Sequence, residues 1–222
     1  ALLALRDNTE HAAALKEHSI EPIDLVCVNL YPFEKTVANP DCKFEDAIEN
    51  IDIGGPSMLR SSAKNHKFVT VITDPCQFDT VLEQMDATGG VSEETRRDFA
   101  RVAFGLTASY DAAISKYFNG KAGVEYPERV SLAMTKASGL RYGENPHQSA
   151  GFYRLANNDE VNVGTAQLLD GGKGISFNNL LDTNADYELV KSFAKTTAVV
   201  VKYLNPGVCA VDDDICVAYE EA

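Results

Sequence analysis

The eight residues Ile23 to Leu30 form an apolar run broken only by Asp24 and Asn29. A strand that carries apolar side chains on both faces must be covered on both faces, as parallel strands between helices are. The run therefore predicts a buried parallel strand, ending at Tyr31-Pro32-Phe33 with Tyr31 at its C-terminal mouth. Its neighbours fit that setting. Helical spacing of apolar residues predicts helices over Asn8–His18, Phe44–Ile51, Pro56–His66, Gln77–Met85 and Glu93–Tyr117, and a second strand over Phe68–Ile72. Alternation of strands with helices points to an α/β layered fold. Periodicity fades after Phe118, where Gly120, Gly123 and Pro127 punctuate the chain. A second module is expected near Leu140. It has a strand over Thr165–Leu169, a turn at Gly171-Gly172-Lys173-Gly174, a helix over Thr183–Phe193, a strand over Thr197–Tyr203 and a helical pattern starting at Asp214. The expected organisation is a first domain over 1–120, a linker over 121–138 and a second domain over 139–222.

Charge narrows the partners. A net charge of −13 disfavours a nucleic-acid or anionic-membrane surface, while leaving room for a local basic pocket that takes an anionic substrate. Five cysteines without paired metal-ligand spacing read as reduced, mostly buried thiols of a cytoplasmic protein. No run reaches the roughly 18 apolar residues of a membrane helix. The chain opens on Ala1-Leu2-Leu3 without an initiator Met, and reads as a piece of a longer protein.

The run from Ile51 to His66 concentrates chemistry. Asp52 precedes the diglycine Gly54-Gly55, Pro56 suits the first turn of a helix, and Lys64-Asn65-His66 closes it. A helix opening of this kind presents free N–H groups to an anion. Asp52 is a candidate proton relay and Lys64 a candidate donor; the plainer alternative is a capped amphipathic helix with a solvated lysine. A helix from Pro56 to Lys64 is about 12 Å long, so the two side chains meet only if the chain bends or the lysine stem reaches across. Further on, Arg141 to Gln148 packs a guanidinium, a phenol, an imidazole, Gly143 and Pro146 into one loop, a candidate binding loop. The Gly171–Gly174 turn is a weak phosphate cradle and more simply a tight turn. Lys202 ends a strand, where α/β sites lie, unless it only snorkels to the sheet edge.

These islands, in this order, resemble the bifunctional purine biosynthesis family, whose members join an inosine monophosphate (IMP) cyclohydrolase to an aminoimidazole carboxamide ribonucleotide (AICAR) transformylase. The segments that carry the resemblance are Val28–Phe33, Ile51–His66, Thr107–Asp111, Leu140–Gln148 and Phe177–Asp182. The resemblance implies the latter part of a Rossmann-like, methylglyoxal-synthase-like cyclohydrolase domain, followed by the start of a cytidine-deaminase-like α/β transformylase domain. It implies Lys64, Tyr31 and Asp52 as catalytic groups converging on the nucleotide, with Val28, Asn29 and Ile53 lining it. In the second domain it implies Arg141, Tyr142 and Ser176 as substrate contacts, and Lys202 with its neighbour Tyr203 as the catalytic pair. The co-substrate implied is 10-formyltetrahydrofolate, with AICAR, formyl-AICAR and IMP as nucleotide partners, a homodimer as the assembly, and no metal.

One position departs from the family pattern. The family carries a Lys-His pair, and here the histidine is Tyr203. A phenol is almost wholly protonated at neutral pH, whereas an imidazole is largely available as a base. Losing a general base typically lowers a rate by roughly 10²–10⁴. Two alternatives follow: a catalytically inactive piece that still binds nucleotide or dimerises, and a methylglyoxal-synthase-like lyase. The lyase leaves the Arg141–Gln148 loop unexplained.

Overall fold

A computed structural model describes residues 1–155, 160–167 and 174–222. The chain folds as two compact units, Ala1–Ala133 and Met134–Ala222.

In the first unit, helix α1 (Thr9–Glu17) starts where the Asn8 side chain accepts the N–H groups of Glu10 and His11. Strand β1 (Leu25–Cys27) then pairs in parallel with β2 (Thr70–Ile72), in the register Leu25–Thr70, Val26–Val71 and Cys27–Ile72. Between them run α2 (Phe33–Ala38), α3 (Phe44–Glu49) and α4 (Gly54–Lys64). A parallel pair needs such a crossover, because its strands cannot be joined by a tight turn. Helix α5 (Phe78–Thr88) stops at Gly89, whose φ of 78° suits a residue without a Cβ. Helix α6 (Glu93–Lys121) opens at Ser92, which caps the Thr95 N–H.

The core sits where α4 and α6 cover β2. Leu59 and Ala63 of α4 meet Val71 and Ile72 of β2, and Phe99, Ala100 and Ala103 of α6. A second cluster joins Phe33, Ala47 and Tyr110. Two expectations change here. The parallel strand is present but short, and Leu25 and Cys27 are exposed. Among the described residues this sheet has two strands, so each keeps one unpaired edge, and the helices pack chiefly on β2. The cysteines are not mostly buried: Cys27, Cys76, Cys209 and Cys216 are exposed and Cys42 is intermediate, all as free thiols.

In the second unit, β3 (Met134–Leu140) pairs antiparallel with β4 (Ala150–Leu155), and β5 (Thr197–Lys202) with β6 (Asn205–Val211). Helices α7 (Phe177–Val190) and α8 (Ile215–Glu221) pack on β5 and β6. Residues 134–138, expected in the linker, are strand instead, because pairing with β4 satisfies their backbone groups. Helix α7 begins six residues before the expected Thr183, since Ser176 and Asn179 cap it reciprocally. Thr165 lies in a turn whose amide donates to the Asn162 carbonyl at 3.0 Å. Ala166 and Gln167 carry no regular structure, against the expected 165–169 strand; residues 168 and 169 fall outside the described residues, as does most of the glycine-rich turn.

Leu59 is fully buried between α4, α6 and β2. Leu59→Ala should therefore lower unfolding free energy by about 2–5 kcal/mol. A urea midpoint that does not move would show that this contact is not the core of the unit.

Candidate functional site

The N-terminus of α4 is occupied by a carboxylate from its own chain. Asp52 Oδ1 accepts the Gly55 N–H at 2.7 Å, and Oδ2 accepts the Tyr31 N–H at 3.3 Å. A negative group here offsets the positive end of the helix dipole and satisfies an amide that the helix cannot. The diglycine, expected just ahead of a helix starting at Pro56, forms the first two residues of that helix. Gly55 is required by the close approach: a Cβ there would run into the Asp52 carboxylate and lie 2.7 Å from Leu30 Cδ2. Pro56 stands in the first turn, where its missing N–H leaves nothing unsatisfied.

Behind the carboxylate stands Tyr110 of α6. Its hydroxyl accepts the Asp52 N–H at 2.9 Å and donates to the Asn50 carbonyl at 3.1 Å. Burial foremost, with the nearby negative charges of Asp52 and Asp111, pushes its phenol above the usual range. Tyr31 and Ile53 lie open beside Asp52, at 56% and 75% exposure. Asn29 is exposed too, whereas Val28 is half-buried against the core, its N–H bonded to the Ile72 carbonyl.

Lys64 is elsewhere. It is the last residue of α4, exposed, and about 15 Å along the helix from Gly54. Its two companions in the motif hold the chain together. Asn65 is buried and donates to the carbonyls of Leu2 at 2.7 Å and Ala4 at 3.1 Å. Arg96 donates to the His66 carbonyl at 2.8 Å and the Lys67 carbonyl at 2.7 Å. The structure thus brings Asp52 and Tyr31 together and leaves Lys64 at the opposite end of the helix.

In the second unit the Arg141–Gln148 loop is stitched to the segment that enters α7. Arg141 N–H donates to the Ile175 carbonyl at 2.9 Å, and Phe177 N–H to the Tyr142 carbonyl at 3.1 Å. The loop is also closed on itself: Gly143 N–H reaches the Gln148 carbonyl at 2.9 Å, and Asn145 N–H reaches Gln148 Oε1 at 2.9 Å. Arg141 lies over the Tyr142 ring, 4.9 Å from its centre. Hydrogen bonding from Ser176 first, and from Arg141 second, holds the half-buried Tyr142 phenol below its usual range. Ser176, expected as a substrate contact, is fully buried, with its hydroxyl 2.8 Å from Asn179 Oδ1. The cap of α7 uses the group that sequence assigned to the ligand.

Lys202 and Tyr203 sit at the tip of the β5–β6 hairpin. Lys202 pairs with Asn205 across a two-residue connection, and Tyr203 and Leu204 have φ of 53° and 63°. Positive φ at both central residues is what a type I′ turn demands. The Lys202 ammonium is 5.2 Å from the centre of the Tyr203 ring, which is 78% exposed. A groove of about 540 Å³ opens in this unit, but Phe152, Phe177, Leu180 and Leu181 line it rather than Arg141 or Tyr142. Among the described residues, no group of three or more His, Cys, Asp or Glu is placed to hold a metal ion, and no helix is long and apolar enough to cross a membrane.

Comparison with known proteins bears on both units. Residues 62–222 match the model of the AICARFT/IMPCHase bienzyme. The chain belongs to this family. Residues 4–57 match an MGS-like domain. Together with the helices and strands of both units, these matches make the chain an α/β member of the bienzyme family, with an MGS-like portion first. The bifunctional purine biosynthesis protein PurH of Bacillus cereus (strain AH187) is 50% identical over 221 residues, which is 100% of this chain and 43% of that protein. PurH of Thermoanaerobacter sp. (strain X514) is 50% identical over 222 residues, with the same coverage. The chain therefore spans less than half the length of these curated relatives. A solved structure described as the crystal structure of ForH shares 35% identity, with a TM-score of 0.44, covering 53% of this chain and 61% of that one.

Sequence reasoning quoted Thr107–Asp111 but gave Tyr110 no role. Its signal is a tyrosine in helical register with the apolar positions Ala103 and Leu106, where Phe would serve if only packing mattered. Arg96 was missed altogether, and its targets are carbonyls, which leave no mark on a sequence.

The Tyr142 setting is testable by light. In a difference titration of the wild type against Tyr142→Phe at 295 nm, Tyr142 should ionise below an ordinary tyrosine, because Ser176 and Arg141 favour its charged form. Arg141→Met should move that midpoint up. A midpoint indifferent to Arg141 would separate the two side chains.

Proposed function

We propose that the protein from which this chain comes carries out two steps of purine nucleotide synthesis. One is formyl transfer from 10-formyltetrahydrofolate to AICAR; the other is closure of formyl-AICAR to IMP with loss of water. The first domain, over 1–120, belongs to ring closure. A linker over 121–138, whose last five residues already belong to β3, leads to the start of the formyl-transfer domain over 139–222. The observation that carries the reading is the Asp52 carboxylate, held at the mouth of β1 by the Gly55 and Tyr31 amides, in a chain of this family.

Ring closure needs two N–H protons to leave, one from the carboxamide nitrogen and one from the formamide nitrogen, and the formyl C–O bond to break so that its oxygen departs with both as water. The carboxamide nitrogen of formyl-AICAR attacks the formyl carbon, and the N–H proton passes to the Asp52 carboxylate. Two amides already hold that carboxylate, so it needs no rearrangement to act as a base. Tyr31, exposed beside it, offers its hydroxyl to the oxyanion that forms. Asn29 and Ile53 border the same opening, and Val28 supports it from the core side. Lys64 is assigned the proton that completes water, and it must reach the substrate from the far end of α4. In formyl transfer, Arg141 and Tyr142 bind the nucleotide, Ser176 holds Tyr142 in place, and Lys202 with Tyr203 stands at the reacting amine. With Tyr203 where the family has histidine, formyl transfer should be much the slower activity. A homodimer in the cytoplasm is the setting we assign it.

Ring closure of formyl-AICAR by this 222-residue chain, followed by absorbance, should be detectable, and calorimetry should show IMP binding. Asp52→Asn should lower kcat by roughly 10²–10⁴, and Lys64→Ala should abolish turnover while leaving IMP bound. Neither binding nor turnover in the wild type would overturn the reading. Full turnover in Lys64→Ala would remove that lysine from the mechanism and confine it to the Asp52 end.

A further inference from the structure

We propose that Tyr110 is a positioning residue that sets the Asp52 carboxylate and the Tyr31 segment in one arrangement, a role that rests on the ring-closure reading above. Two parts of its side chain do this work. The hydroxyl bridges the loop before α4, accepting from the Asp52 N–H at 2.9 Å and donating to the Asn50 carbonyl at 3.1 Å. The ring meets Phe33 edge-on, with centres 6.2 Å apart, and Phe33 follows Tyr31 by two residues. One side chain on α6 therefore touches both segments that meet at the carboxylate.

The hydroxyl is fully used. A phenol offers one donor and accepts as well, and both capacities are spent on backbone groups of residues 50 and 52. Tyr110 is 7% exposed, so water does not substitute readily for either bond. With the backbone of Asp52 tied to α6, its carboxylate is left to span Gly55 on one side and Tyr31 on the other. Gly55, having no Cβ, leaves open the space that this carboxylate fills. Tyr117, two turns further along α6, provides the contrast: its hydroxyl is buried yet has no hydrogen-bond partner among the described residues. A tyrosine kept only for packing would look like Tyr117.

Amide hydrogen exchange and ring-closure kinetics on the 222-residue chain test this. Tyr110→Phe keeps the ring and removes the bridge, so exchange at Gly55 and Tyr31 should rise at least about fivefold relative to amides of α5. Tyr117→Phe should leave both unchanged. In the kinetic arm, Tyr110→Phe should lower kcat for formyl-AICAR at least about tenfold with KM within about twofold, the mark of a misplaced base rather than lost binding. Unchanged exchange in Tyr110→Phe, an equal rise in Tyr117→Phe, or an unchanged kcat would each overturn the proposal. A wild-type chain that closes no ring retires the functional reading alone, and the exchange comparison still decides the positioning of Asp52.

Discussion

A carboxylate at the positive end of a helix organises the first unit. Asp52 satisfies a first-turn amide of α4 and also fastens Tyr31, four residues past the end of β1. The Gly55 contact, at 2.7 Å, has the short length of a charge-assisted bond, and the Tyr31 contact, at 3.3 Å, is the weaker of the two. The same group that stabilises the helix start is the one with the chemistry to accept a proton. Stability and reactivity draw on one side chain, and this dictates what may stand nearby. Glycine at 55 is the clearest instance, because any Cβ would displace the carboxylate that the helix needs.

The other end of α4 is fixed just as firmly, by different means. Arg96 reaches from α6 to the carbonyls of His66 and Lys67, in the turn that follows the helix. Asn65 turns its amide to Leu2 and Ala4, tying the opening residues of the chain to this end. With both ends anchored and Leu59 and Ala63 in the core between them, α4 behaves as a rigid spacer. Asp52 and Lys64 are held apart by a fixed length, so any step that uses both must be spanned by the substrate or by the lysine stem. Side chains that merely shared a flexible loop would carry no such constraint.

How much of this a sequence reveals depends on what each residue bonds to. Asn8, Ser92, Ser176 and Asp214 cap helices through local side-chain bonds, and local signals of that kind are readable. The alternation of strand and helix in the first unit was legible for the same reason. Strands β3, β4 and β6 were not: Lys136, Ser138 and Gly139 break any apolar alternation in β3, and pairing alone makes it a strand. Ser176 is a subtler case. A serine matching a substrate contact and a serine capping a helix look identical until burial is known. The burial of β1 was overestimated because an apolar run reports what a strand can tolerate, and the number of neighbours on its flanks is a property of the sheet.

The hairpin of the second unit turns on a local conflict. Tyr203 and Leu204 both adopt positive φ, a conformation in which a Cβ crowds the following carbonyl. Such a turn favours Asn and Gly, and neither is present at its centre. Neighbouring bonds offset the strain: Asp182 of α7 accepts the Leu204 N–H at 2.9 Å, and the Asn205 side chain donates to the Tyr203 carbonyl at 2.7 Å. The tip that displays Lys202 and Tyr203 is thus held to α7 by an acidic residue, and Asp186, one turn further along, has its carboxyl raised by burial and by that neighbour. Strain sustained by surrounding contacts is a familiar mark of residues held for a purpose. In this hairpin it fixes where the lysine emerges, and it does so whichever side chain occupies position 203.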